Sequence, residues 1–238
     1  MRRLTDESIG YGVVLVLIGV TYGVSVTTDK GWAAALVILV QLLVLRIVLV
    51  VSHARRAVRA AADLLIVSAA VVIVIGYFVG NHFAPDAPLT IVFFAISALL
   101  YGVAPLSIVR DTITRPQIDE QTLLAAIAAY LMLGMFFAFT YRFVGAVQTA
   151  PFFGQTGTES MANYLFFSFI TLTTTGYGNL VPAANPGQSL AVLEAIVGQL
   201  FLVTAVAKIV NESGLLAPGR RRAVEDEPGA TAPERTDG

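Results

Sequence analysis

Cysteine is absent from this 238-residue chain, and charged residues are scarce at 13%. Without cysteine the chain can form no disulfide and offers no thiolate ligand to a metal ion. The low charge excludes an ordinary soluble domain, in which about a quarter of the residues are charged. Hydrophobic residues make up 56% of the sequence and occur in runs of about 18 to 26 residues. Because roughly 20 apolar residues span a hydrocarbon core of about 30 Å, the composition predicts a polytopic membrane protein.

Six apolar runs are predicted to be transmembrane helices, and a seventh segment is helical in pattern but too short to span. This short segment, Glu159–Leu172, is predicted to be re-entrant. The first run follows mixed charges and no cleavage site comes after it, so we interpret it as a retained helix and not as a signal peptide. The expected fold is an all-α membrane protein with six spanning runs: Ile9–Val26, Trp32–Val51, Leu64–Val79, Leu89–Val109, Leu123–Val147 and Ser189–Val210.

Basic residues are distributed unevenly between the two sides of this topology. With both termini in the cytoplasm, thirteen of the fifteen Lys and Arg residues lie on or near the inside, and only Lys30 and Arg142 lie outside. The positive-inside rule therefore favours a multi-pass protein of the cell membrane with both termini cytoplasmic and an even number of crossings. The basic trio Arg220–Arg222 is interpreted as an ordinary positive-inside segment next to the membrane lipids.

The residues that follow the short helix are Thr174, Thr175, Gly176, Tyr177 and Gly178, a sequence poorly suited to continue a helix. Irregular backbone at membrane depth is tolerated only where it is buried in protein or lines a water-filled path. Glycine adopts positive φ without steric cost, and alternating such residues turns successive carbonyls toward one axis. A ring of these carbonyls replaces the hydration shell of a monovalent cation. Each chain supplies one such strand, so a closed pore of this kind implies four copies around the axis. The Thr174 hydroxyls of the four copies would add one more ring of oxygens at the inner end.

This segment resembles the pore module of tetrameric potassium channels. The family signature, Thr-x-x-Thr-x-Gly-Tyr-Gly with a proline four residues later, is matched by Thr171, Thr174, Gly176, Tyr177, Gly178 and Pro182. The resemblance covers roughly Leu123–Val210 and implies a homotetramer with a gating hinge at Gly198, twenty residues after Gly178. It also implies a selectivity filter at residues 174–178, in which K⁺ is bound at Thr174, Thr175, Gly176 and Tyr177.

The chain departs from that family around the filter. Asn179 follows the filter where the family usually has Asp, and Phe166 and Phe167 stand where the pore helix usually carries tryptophan. Ile170 occupies a position at which some bacterial members have a glutamate that pairs with that Asp. A phenyl ring has no hydrogen-bond donor, whereas an indole has one. We therefore predict a filter that is supported by apolar packing more than by polar contacts, and that is more prone to collapse at low potassium.

Glu194 lies in the middle of the last run, four residues before Gly198. An ionisable group in a spanning helix costs about 2.5–3.5 kcal/mol and usually faces protein or water. Two interpretations are open. Glu194 is either a carboxylate behind the filter that bonds pore-helix hydroxyls such as Ser168 or Thr173, or a protonated acid with one satisfying bond. The first interpretation adds Glu194 to the residues that support the filter.

Charge is also missing where a voltage sensor would need it. Voltage sensing takes about 3–4 gating charges per subunit, and the fourth run contains no Lys or Arg. The first four helices therefore resemble a voltage-sensor domain in number and position but not in charge, and we expect little or no voltage dependence. The predicted organisation is a peripheral transmembrane domain at residues 1–116, a pore domain at 117–214 and a disordered cytoplasmic tail at 215–238, with no soluble ligand-binding domain.

The expected function is passive, potassium-selective conduction, with permeant K⁺ ions and no organic cofactor. A weakly selective monovalent cation channel is the alternative, because some channels with Gly-Tyr-Gly also pass sodium. A secondary transporter is less favoured, because transporters usually show internal repeats and intramembrane charges in both halves. This chain shows no repeat and has only Glu194 as such a charge. No nucleophile–base set, metal cluster or phosphate loop suggests an enzyme, and no binding to nucleic acid is expected.

Overall fold

The computed structural model describes residues 2–27, 31–51, 88–114, 120–154 and 159–212. Within these ranges the chain forms the helices α1 (Arg2–Thr27), α2 (Gly31–Val51), α3 (Pro88–Thr114), α4 (Glu120–Val147), α5 (Met161–Leu172) and α6 (Gly187–Glu212). No β-strand of a sheet occurs in the described ranges, where the one β-type pairing is an isolated bridge between Phe153 and Pro182. The predicted all-α fold class is therefore confirmed for this part of the chain.

Three of the described helices are long and apolar enough to cross a membrane, over Ile91–Val109, Thr122–Val147 and Gly187–Lys208. The apolar parts of α1, α2 and α5 are shorter, at Tyr11–Thr27, Leu39–Val48 and Met161–Leu172. Five of the six predicted runs are helical, and the remaining run, Leu64–Val79, lies outside the described residues. The described helices thus support a membrane protein with three candidate spans, and six crossings stay a prediction.

Helix α4 lies at the centre of the described part of the chain. It packs along α3 and also contacts α1, α5 and α6, while α1 packs against α2. Phe139 of α4 stacks on Tyr101 of α3 with ring centroids 5.7 Å apart. Small and flexible side chains on α4 permit these close approaches, which stabilise helix pairs in lipid; they are Ala125, Ala128, Ala129, Met132 and Met135. The first helices and the helices next to residues 173–178 therefore share one core within a single chain.

A second core, rich in aromatic side chains, surrounds the amino-terminal half of α5. Its buried members are Phe137, Tyr141, Phe152, Phe153, Tyr164, Phe167 and Leu180. Two backbone hydrogen bonds of 2.9 Å tie the loop before α5 to the loop that follows residues 173–178, from Gly154 to Val181 and from Ala183 to Phe152. At the start of α5 the Ser160 hydroxyl accepts from the N–H of Asn163 at 3.3 Å, a typical N-cap bond. These contacts fix both ends of the segment that carries the candidate site.

Candidate functional site

Helix α5 ends at Leu172, and the chain then continues as an irregular strand that stays bonded to the helix. The N–H of Thr173 lies 3.0 Å from the carbonyl oxygen of Phe169 and closes the last turn. The carbonyl oxygen of Ile170 accepts two hydrogen bonds, from Thr175 at 2.8 Å and from Gly176 at 3.1 Å. The first residues of the predicted filter are therefore held against the carboxyl end of α5, and a shift of α5 would move them.

The backbone alternates in handedness along this strand. Thr174, Gly176 and Gly178 have φ of +57°, +54° and +76°, whereas φ is not positive at Thr175 and Tyr177 between them. Positive φ costs a non-glycine residue roughly 1–2 kcal/mol, so Thr174 keeps this conformation only because its surroundings hold it. Alternation of this kind turns successive carbonyl groups to the same side of the strand, which is the backbone geometry that a carbonyl-lined ion path needs.

The side chains of the strand face away from the core of the single chain. Residues 173–179, including Asn179, are exposed, and Tyr177 is 70% exposed. The Tyr177 ring stacks on Phe166 with centroids 6.1 Å and planes 6° apart. Phe167 lies instead in the aromatic core, edge-on to Tyr141 at 5.0 Å. The two phenylalanines that stand in the tryptophan positions thus make different contacts, Phe166 with Tyr177 and Phe167 with the protein interior.

Two threonine hydroxyls form a short chain at the beginning of the strand. The Thr173 hydroxyl donates to the carbonyl oxygen of Phe169 at 2.7 Å and lies 2.9 Å from the hydroxyl of Thr175. Because Thr173 has a single hydroxyl hydrogen, Thr175 is the donor in the second contact. The side chain of Thr175 is therefore directed back toward α5. Thr173 is not bonded to Glu194, which was one of the two predicted partnerships.

Glu194 is fully buried and joins three helices. Its Oε1 lies 2.5 Å from the Ser168 hydroxyl of α5, and its Oε2 lies 2.6 Å from the Tyr141 hydroxyl of α4. The Ser168 oxygen also lies 2.7 Å from the carbonyl oxygen of Gly134 on α4. Ser168 was an expected partner, and Tyr141 was missed. Nothing in the sequence around Tyr141 indicates that it meets α6.

Gly198 lies where α6 approaches the carboxyl end of α5. A Cβ atom at Gly198 would lie 2.7 Å from Leu172 Cδ1 and 2.8 Å from the Leu172 carbonyl oxygen. The same carbonyl oxygen accepts a hydrogen bond from the Tyr130 hydroxyl at 3.2 Å. A glycine is therefore needed here for close packing, whether or not it also acts as the predicted hinge. Helix α6 is continuous through this position.

Two further contacts join the early helices to α5, and the sequence indicated neither. Tyr22 of α1 meets Phe169 of α5 edge-on with centroids 5.8 Å apart. Arg142, which the charge distribution predicts on the outer side, is only 9% exposed. Its guanidinium carbon lies 4.8 Å from the ring centroid of Phe94 on α3 and 5.6 Å from that of Tyr164 on α5. Helix α1 therefore contacts α5 directly, and Arg142 of α4 connects α3 with α5 within the same chain.

The atoms of this strand that could bind an ion are uncharged oxygens. Among the described residues, no group of three or more His, Asp or Glu side chains could hold a metal ion. The oxygens that the strand offers belong to backbone carbonyls and threonine hydroxyls, which suit a monovalent cation in transit better than a tightly held divalent one.

Residues 125–212 match a family model described as an ion channel. This segment runs from α4 to the end of α6, includes the alternating strand and covers a little over a third of the chain. The match indicates an ion channel. No curated protein and no solved structure matches the chain. An ion channel domain together with apolar helices places the protein in a membrane, and it favours conduction over catalysis.

Proposed function

We propose that the protein is a potassium-selective channel that assembles as a homotetramer and conducts K⁺ passively across the cell membrane. The observation that carries the proposal is the alternation of φ along Thr174–Gly178, in a strand bonded to the end of a short helix. Four such strands around an axis would surround the ion path with rings of carbonyl oxygens. K⁺ would bind at Thr174, Thr175, Gly176 and Tyr177, and the Thr174 hydroxyl would add an inner ring.

The surface of α6 supports assembly from several chains. Only 11% of the span Gly187–Lys208 is buried in the single chain. In a tetramer the remaining surface of α6 would lie against neighbouring copies, against lipid and along the ion path. The carboxyl end of α5 carries a partial negative charge, which favours a cation in the cavity below the filter.

We also propose the domain arrangement that the sequence predicts. The peripheral domain would comprise residues 1–116, the pore domain 117–214 and the cytoplasmic tail 215–238, with both termini inside. The span Ile91–Val109 of α3 contains no Lys or Arg, which supports weak voltage dependence. A weakly selective monovalent cation channel is the alternative, and it differs from the proposal in a single measurable property, the preference for K⁺ over Na⁺.

Ion flux in liposomes tests the proposal directly. Purified protein is reconstituted, and K⁺ and Na⁺ fluxes are measured separately, with barium as a blocker. We expect a barium-sensitive K⁺ flux and a reversal potential that follows the K⁺ gradient in mixed solutions. A reversal potential that responds equally to both ions would establish the weakly selective alternative. Absence of flux for either ion would overturn the proposal.

A pair of glycine substitutions tests the role of the strand. A Cβ atom would meet no atom within 4 Å at either Gly176 or Gly19 of α1, but only Gly176 has positive φ, at +54°. Gly176→Ala therefore adds backbone strain of roughly 1–2 kcal/mol in each subunit, and we expect it to abolish K⁺ flux. Gly19→Ala is the matched control and should conduct like the wild type. Equal flux in the two variants would show that the handedness of the strand is not needed for conduction.

A further inference from the structure

The three hydrogen bonds around Glu194 need three hydrogen atoms, and an ionised Glu194 would supply none of them. Three short oxygen–oxygen contacts form one chain: Tyr141 to Glu194 at 2.6 Å, Glu194 to Ser168 at 2.5 Å, and Ser168 to the carbonyl oxygen of Gly134 at 2.7 Å. Tyrosine and serine hydroxyls contribute one hydrogen each, and a carbonyl contributes none. Two hydrogens cannot fill three contacts. The third hydrogen must come from Glu194.

The directions of the bonds follow from the same count. The carbonyl of Gly134 can only accept, so Ser168 donates to it, and the Ser168 oxygen then accepts from Glu194. Glu194 Oε2 accepts from Tyr141. The alternative, a single Ser168 hydrogen shared between Gly134 and Glu194, does not fit the distances, because both contacts are as short as direct O–H···O bonds.

We propose that Glu194 is a neutral carboxylic acid, and that this acid is a positioning residue for the filter. Both of its side-chain partners are uncharged, and an ionised carboxylate with neutral partners alone is unfavourable at membrane depth. The hydrogen-bonded chain begins on α4 at Tyr141, passes through α6 and α5, and returns to α4 at Gly134. Ser168 lies two residues before Ile170, whose carbonyl oxygen accepts hydrogen bonds from Thr175 and Gly176. The acid therefore fixes the part of α5 to which the filter strand is bonded.

This role rests on the proposed function, and it has a chemical consequence. A neutral acid adds no negative charge near the ion path, so its contribution is geometric. It presents one donor and one acceptor, and the amide of glutamine can supply the same pair through one of its two N–H groups and its oxygen. Glutamine can therefore replace the neutral acid. It could not replace a carboxylate that accepts from two hydroxyls, because the amide nitrogen is not an acceptor.

Infrared difference spectroscopy tests the protonation state without reference to conduction. Wild-type protein and Glu194→Gln are compared in K⁺-containing liposomes at neutral pH. We expect the wild type to show the C=O stretch of a protonated carboxyl group that shifts in D₂O and is lost in the variant. Glu159→Gln is the control, because Glu159 accepts a backbone hydrogen bond from Phe152 and has no part in the chain of contacts around Glu194, so this variant should keep the protonated carboxyl band. Loss of carboxylate bands instead in Glu194→Gln would overturn the proposal.

A measurement on wild-type protein keeps the test valid if the variant does not assemble. Protein labelled with ¹³C-glutamate should show the protonated carboxyl band displaced by the isotope, which assigns that band to a glutamate. A wild-type protein without any displaced band at neutral pH would also overturn the proposal.

Ion flux tests the positioning role. Glu194→Ala leaves the buried Tyr141 hydroxyl without its acceptor and unties Ser168 from α6, and we expect a fall in K⁺ flux of about tenfold. Glu194→Gln should restore flux to within about twofold of the wild type, since its oxygen and one of its N–H groups can replace the acceptor and the donor of the acid. Wild-type flux in Glu194→Ala would refute the positioning role. If the wild type conducts no K⁺ while the protonated band is present, the proposed function fails and the protonation state stands.

Discussion

Helices α4 and α6 are alike in length and apolar character, yet the single chain covers only one of them. Of the span Thr122–Val147 in α4, 56% is buried, compared with 11% of the span Gly187–Lys208 in α6. Helix α4 has neighbours in α1, α3, α5 and α6, whereas α6 packs against α5 and α4. An apolar run thus predicts that a helix lies in the membrane, but it does not tell which of its faces contact protein. The uncovered surface of α6 is the main structural argument that the functional unit contains more than one chain.

The same contrast appears within α6 itself. Glu194 and Gly198 are buried and hold the helix against α4 and α5. Most of the apolar side chains around and beyond them are exposed, namely Val192, Leu193, Ile196, Leu200, Leu202, Val203 and Val206. One side of α6 therefore packs against α4 and α5 within its own chain, and the other side is uncovered in the single chain.

Removal of two exposed leucines from α6 should have the largest effect. Leu193 and Leu200 are seven residues apart and 49% and 61% exposed. In a tetramer their loss would remove packing on the order of 1 kcal/mol for each leucine, repeated in every subunit. We expect Leu193→Ala with Leu200→Ala to lower the temperature at which the tetramer dissociates in detergent, and to reduce K⁺ flux in proportion.

Helix α3 offers a matched control for this experiment. Leu99 and Leu106 have the same spacing and are 67% and 70% exposed. Because they lie outside the proposed pore domain and outside the segment that matches the ion channel family, replacing both by alanine should leave the tetramer unchanged. Equal effects of the two double variants would mean that α6 is no more involved in assembly than α3. The difference in burial between α4 and α6 would then be no argument for assembly.

Substitution of Gly198 should have the next largest effect. A methyl group at this position would overlap the side chain and carbonyl oxygen of Leu172, and overpacking of this kind typically costs about 1–3 kcal/mol. We expect Gly198→Ala to lower both the thermal stability of the tetramer and the K⁺ flux, the latter by about tenfold. Gly23→Ala on α1 is the control, since a Cβ there would meet nothing within 4 Å. A change in open probability alone, with stability intact, would favour a hinge and contradict the packing role.

The sequence was informative where the signal is local. Each apolar run in the described ranges is helical, and Glu159–Leu172 begins as a helix within two residues of its expected start because Ser160 caps it. The combination of threonine and glycine at residues 174–178 predicted a non-helical strand, which is present with alternating φ. These features depend on residue type and spacing within a few positions, so a single sequence suffices to find them.

Contacts between distant segments were not predictable in the same way. Tyr141, Arg142 and Tyr22 lie in or beside apolar runs, and nothing in their neighbours indicates which helix each one meets. Their partners are decided by the order in which α1, α3 and α5 surround α4. Glu194 was the exception, because an ionisable residue in a spanning helix must have a polar partner, and Ser168 was correctly named as one.

Loss of the Thr175 hydroxyl should have a smaller effect, and it tests how far the filter depends on α5 alone. Thr175→Val keeps the shape of the side chain but removes the hydrogen bond to Thr173, worth about 0.5–1.5 kcal/mol. We expect near-normal flux in high K⁺ but a slower recovery of flux after K⁺ is withdrawn and returned. Thr175→Ser should behave like the wild type. In the control Thr140→Val, the lost hydroxyl bonds only to its own helix, at Phe136. If Thr175→Val recovers as fast as that control, this bond does not support the filter.

Voltage should have the smallest effect on conduction. Moving one elementary charge across 100 mV changes an equilibrium by about 2.3 kcal/mol, or roughly fiftyfold, and the span Ile91–Val109 of α3 carries no Lys or Arg to supply it. We expect currents from the reconstituted protein in symmetrical K⁺ to give a conductance–voltage relation shallower than that of one charge. A slope equivalent to several charges would contradict this and would imply that helices next to the pore move through the field. Since α4 owes its burial mainly to α3, such a movement would uncover α4 in one of the two states, and the difference between α4 and α6 would then describe only one conformation of the channel.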